Sequence, residues 1–207
     1  AFQEGYKPAS LFPNPTPQMP ASHEQISREM HILAAVHKLP AENARHFDLL
    51  SQSLTYENHL YERGVFPCRD NIQTIKQLSV EIADLALRDN APVALTHRAF
   101  LLTNSAIECD EEAIRANGGY RRADYATDLG TYVVTRNLQK ADALYALEEY
   151  LDREPLPQEI RHCWAMVGLS AWTGYLWCLL EGERTGMTSD MEAQCFIYAS
   201  AFLKLAL

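Results

Sequence analysis

The chain has 207 residues, 47% of them apolar and 22% charged. That length and make-up let it bury a core without disulfides or metals, and they exclude disorder over most of the chain. A formal net charge of −9, with no run of Lys and Arg, argues against binding long duplex nucleic acid and favours an acidic, soluble surface.

Residues 1–20 hold five of the ten prolines, with Pro13, Pro15 and Pro17 alternating. Alternating prolines force extended or polyproline backbone. Phe2, Tyr6, Leu11 and Phe12 make the stretch too apolar for a linker, so it reads as an arm lying on the body or joining a homo-oligomer. The arm shows no apolar secretory core. The domain proper is 21–207.

Ser22 and Gln25 form the S-x-x-Q signature of a capping box. A helix follows over 23–38, with Ile26, Met30 and Leu33 at helical spacing. Pro40 separates it from a second helix over 41–63, which ends at Gly64. Asp70 or Asn71 starts a third, whose stripe is Ile72, Ile75, Leu78, Ile82 and Leu85. A fourth is predicted over 92–116, stopped by Asn117-Gly118-Gly119. Residues 123–152 are helical in pattern and too long for one ordinary helix, so a break is expected near Gly130 or near Lys140. Thr131 to Thr135 (TYVVT) is β-like in composition but sits in that helical frame. Residues 157–181 form an apolar helix, and Ser189 caps a terminal one.

The reading is all-α: a bundle of seven or eight helices with a central apolar helix and an extended Pro-rich N-terminal arm. The central stretch, Cys163 to Leu180, contains no charge and all three tryptophans. It reaches the lower length limit of a membrane span. Its tryptophans are spread along it instead of gathered at two interfaces, and neither flank carries a positive bias. It therefore reads as a buried core helix, and membrane association is not expected. Five cysteines, none spaced C-x-x-C, read as free buried thiols in a reducing, cytoplasmic compartment.

No nucleotide-binding glycine loop or nucleophile elbow is present, and no motif requires a cofactor. Glu159-x-x-His162 is a lone copy of a motif that di-iron bundles use twice. Carboxylates one helical turn apart occur at Glu81/Asp84, Glu108/Glu111 and Glu149/Asp152 and could hold a divalent metal. Their number is what chance gives for this many acids. The most site-like polar segment holds Tyr120, Arg121, Arg122, Asp124, Tyr125 and Asp128, residue types that anchor interfaces. His162 with Trp164, Trp172 and Trp177 could line a pocket. These features favour a non-enzymatic, acidic helical module that captures a protein partner, of adaptor or toxin-neutralising type. The alternatives are a metal-dependent all-α hydrolase using the carboxylates and a small-molecule-binding bundle.

Overall fold

A computed structural model of the chain describes residues 21–42, 44–96, 120–185 and 189–207. Among them are seven helices: α1 (His23–His37), α2 (Leu49–Glu62), α3 (Ile72–Arg88), α4 (Ala126–Thr135), α5 (Lys140–Leu151), α6 (Pro157–Thr185) and α7 (Ser189–Leu205). Two short strands, β1 (Val93–Thr96) and β2 (Arg121–Asp124), complete the list. The mainly all-α architecture with a central apolar helix is thus present. The Pro-rich arm lies outside the described residues.

Local chemistry sets the helix starts. Ser22 Oγ accepts the Gln25 N–H at 3.2 Å, as the capping signature requires, although the Gln25 amide turns to Glu29 rather than back to the cap. Helix α2 begins at Leu49, later than expected, because Asp48 caps it by accepting the Ser51 N–H at 2.6 Å. Asn71 precedes α3 in the left-handed conformation (φ 61°), which asparagine tolerates, with no side-chain cap bond. The break between α4 and α5 falls at 136–139, just before Lys140, and Gly130 lies inside α4.

The expected helix over 92–116 does not begin as one. Val93–Thr96 is a strand, paired antiparallel with Arg121–Asp124 in the register Val93↔Asp124 to Thr96↔Arg121. Residues 97–119 are outside the described set. Backbone at 45–47 lines the other edge of β2: the Phe47 N–H donates to the Arg122 carbonyl and the Arg122 N–H to the Arg45 carbonyl, each at 2.9 Å. Donors and acceptors on both edges of β2 are thereby used.

Helix α6 is the axis of the body. Every residue from His162 to Cys178 is buried, and 89% of its most apolar window lies inside the protein. The helix is long and apolar enough to cross a membrane, but its all-round apolar surface is taken up by α2, α3, α4 and α7. Two glycines allow the closest approaches. A Cβ on Gly168 would sit 2.8 Å from Leu203 of α7, and one on Gly130 would land on the Met166 carbonyl and 2.7 Å from Ser170 Oγ. Gly130 is therefore a contact point between α4 and α6, which explains why it does not break its helix. Gly130→Ala is expected to destabilise the protein by about 1–3 kcal/mol, the usual cost of overpacking, despite alanine's better helix propensity. Urea denaturation followed by circular dichroism measures this, and a neutral or stabilised variant would contradict the packing.

Cys163, Cys178 and Cys195 are buried free thiols as expected, while Cys68 is exposed. Burial pushes the Cys163 thiol up to about 12, so it is no nucleophile at neutral pH.

Candidate functional site

Three elements and one turn enclose a pocket of about 930 Å³. Its walls are the C-terminal half of α1, the turn between α3 and β1, the last turn of α5 with the loop beyond it, and the first turns of α6. Tyr125, at the junction of β2 and α4, forms part of its floor. Asn90 and Asp152 bend the chain at two edges of the pocket with left-handed backbone (φ 49° and 53°), which Asn and Asp adopt more readily than most residues.

A row of rings runs along the pocket. Tyr150 stacks on Tyr125 (centroids 5.5 Å, 15°), Tyr125 stacks on His162 (6.0 Å, 21°), and His37 meets Tyr150 edge-on (5.5 Å, 69°). Each histidine is backed by acid. His37 Nδ1 pairs with the Tyr150 hydroxyl at 2.8 Å, and its Nε2 with Asp128 Oδ2 at 3.1 Å. His162 Nδ1 pairs with Asp89 Oδ2 and its Nε2 with Asp124 Oδ2, both at 2.9 Å. Burial pulls the His162 pKa down, but hydrogen bonds and charge from Asp124 and Asp89 outweigh it and hold the ring above the ordinary histidine range. Burial, with Asp128 and Asp124 nearby, raises the Tyr150 phenol well above its usual value, so it stays neutral.

At the rim, Arg153 donates to both oxygens of Glu159 (2.8 and 2.6 Å), holding that carboxyl below its usual range despite some burial. Ser27 donates to Glu149 at 2.5 Å and lowers it likewise. Arg88 pairs with Asp84 along α3. Glu149 and Asp152 thus add negative charge to a wall that also holds Lys38 and two guanidiniums, Arg88 and Arg153, already paired.

The structure draws on all the candidate sets. Tyr125, Glu149, Asp152 and His162 come together at this pocket. Arg121, Arg122 and Asp124 form β2 instead of a presented loop, and Tyr125 and Asp128 are buried, at 7% and 1% exposure. Tyr120 is half-buried at the start of that strand. Glu81 accepts from Gln77 on α3, one turn from Asp84. Glu108 and Glu111 lie outside the described residues. Trp164 and Trp177 are core side chains, and Trp172 lines a separate hollow of about 300 Å³ beside α2 and α3. Nothing local in the sequence marks His37, Tyr150 and Asp89 as site residues, because they are joined to their partners over separations of 73 to 113 residues.

No protein-family model matches this chain, and no curated protein does. Solved structures do. A choline/ethanolamine kinase family protein from Mesorhizobium loti is 14% identical with a TM-score of 0.68, covering 92% of this chain and 66% of its own. An ethanolamine kinase from Plasmodium vivax is 16% identical with a TM-score of 0.59, covering 90% and 63% respectively. The chain thus spans about two thirds of the length of these structures. The likeness is one of fold, a kinase fold. It corrects the expectation of a non-enzymatic module capturing a protein partner. Where it is described, the segment read as an interaction loop is strand β2 and the start of α4, with Tyr125 on the pocket floor.

Two stretches of the sequence partly match motifs that kinases carry. Kinases carry a catalytic loop H-R-D-x-x-x-x-N and, further on, an aspartate followed by an aromatic residue and a glycine. The segment after β1, His97-Arg98-Ala99-Phe100-Leu101-Leu102-Thr103-Asn104, agrees at His97, Arg98 and Asn104 and has Ala99 at the aspartate. Asp124-Tyr125-Ala126, at the end of β2, agrees with the second motif at its aspartate and aromatic residue and has Ala126 at the glycine. A search for the complete pattern passes over both.

Proposed function

We propose that the pocket is the acceptor site of a kinase-type phosphotransferase fold, and that its acceptor is a small alcohol bearing an amine. The observation that carries this reading is the stacked Tyr150/Tyr125 pair beside the carboxylates of Glu149 and Asp152. A cationic nitrogen is attracted to the face of an aromatic ring and to carboxylates together, and a ring-lined site of this kind is how proteins hold ammonium groups. The fold likeness adds weight, since the neighbours named above are choline/ethanolamine and ethanolamine kinases. Phosphoryl transfer rests largely on positioning the acceptor and on stabilising charge. In the sequence, Ala99 falls at the motif position where kinases have the aspartate that accepts the acceptor's hydroxyl proton, so no proton transfer is assigned to that position.

Isothermal titration with ethanolamine and choline tests the proposal. Wild-type protein is expected to bind one molecule per chain. Tyr150→Leu, which removes one ring of the stack, should weaken binding about 2- to 30-fold, the range of an aromatic contact to a cation. Absence of binding by either amine, with the protein folded, would end the proposal.

A further inference from the structure

In a kinase the aspartate of the motif that Asp124-Tyr125 partly matches holds a divalent metal. Among the described residues, the groups around Asp124 do not fit that ion. Its Oδ1 accepts the Ala126 N–H at 2.9 Å, and its Oδ2 accepts from His162 Nε2 at 2.9 Å. The other nitrogen of His162 donates to Asp89 Oδ2 at 2.9 Å, and the second Asp89 oxygen accepts from Arg161. The His162 side chain is 3% exposed, so its ring nitrogens have no solvent to turn to. A ring with a carboxylate oxygen on each nitrogen satisfies both bonds only with a proton on each, as imidazolium. Two carboxylates, one imidazolium and one guanidinium then make a neutral cluster. A divalent ion entering it would meet two positive charges and would have to share each carboxylate oxygen with a hydrogen-bond donor already there. Among the described residues, no group of three or more His, Cys, Asp and Glu side chains is arranged to hold a metal.

We infer that His162 is the resident cation between Asp89 and Asp124, standing where a kinase holds its divalent metal, and that amine binding in the adjoining pocket is independent of metal. The second half of this statement rests on the acceptor-site reading; the first does not. The three partners come from three elements: Asp89 from the end of α3, Asp124 from β2 and His162 from α6. The cluster therefore ties the pocket wall together and takes over the charge balance that a metal would supply.

Two measurements on the whole chain test this. Mn²⁺ binding is followed by electron paramagnetic resonance at neutral pH, on the wild type and on Asp124→Asn. Ethanolamine binding is followed by calorimetry in excess Mg²⁺ and in EDTA. The expected results are no stoichiometric Mn²⁺ binding to the wild type and ethanolamine affinities within about 2-fold of each other in the two buffers. One Mn²⁺ per wild-type chain, lost in Asp124→Asn, would overturn the inference without need of the amine. So would a tenfold or larger gain in ethanolamine affinity with Mg²⁺. Failure to bind ethanolamine in either buffer would remove the acceptor reading and the metal-independence drawn from it, while the Mn²⁺ result would still decide the role of His162.

Discussion

His162→Leu should lower the free energy of unfolding by about 3–5 kcal/mol, the usual cost of removing one partner from a buried ion pair. Asp89 and Asp124 would be left facing each other across an apolar side chain with no charge between them. Both keep some contact with water, at 19% and 25% side-chain exposure, which places the expected loss toward the lower end of that range. The effect has a pH signature. The folded state raises the pKa of His162, so it binds the proton more tightly than the unfolded chain does. The stability gained is fully present below the ordinary histidine value of 6.5 and disappears as pH rises through the higher folded value. Urea denaturation of the wild type from pH 6 upward should show that decline, and His162→Leu should be flat over the same window. A wild type equally stable on both sides of that window would mean that the ring is neutral and that only one of its bonds is a donor.

The helices were largely legible because their information is local. Ser22 capping α1, the stripe of Ile75 and Ile82 on α3 and the break before Lys140 all follow from residues within a turn or two of each other. The sheet was not legible, since Val93–Thr96 finds its partner about 28 residues later and offers only four residues of pattern. TYVVT, the segment with the strongest β composition, lies in α4 and packs on α6. Burial on a helix face decided its structure over propensity. The site was legible only in fragments. Glu149/Asp152, Tyr125 and His162 each drew notice for a different reason, and nothing local joins them. His162 looked like half of a metal motif with Glu159, yet Glu159 turns to Arg153 and His162 to two aspartates from other elements.

Trp172→Ala is expected to cost about 3–5 kcal/mol, the range for truncating a buried aromatic side chain. Trp172 is 1% exposed on the central helix and stacks near Tyr175, with ring centroids 5.6 Å apart. It also lines the hollow beside α2 and α3, so loss of the indole would enlarge a space already present and collapse around it would be incomplete. Its indole nitrogen is buried and has no hydrogen-bond partner among the described residues. A buried N–H without an acceptor carries a desolvation cost of about 1–3 kcal/mol, which the wild type already bears. Trp172→Phe removes that N–H while keeping much of the ring, so its net cost should be well below that of the alanine variant. Urea denaturation of the three proteins, followed by far-ultraviolet circular dichroism, separates the two contributions. If Phe and Ala destabilise equally, an acceptor for the indole, such as a bound water in the hollow, is supplying what the buried nitrogen lacks. If Phe is nearly neutral, the ring's volume is what the centre of α6 requires.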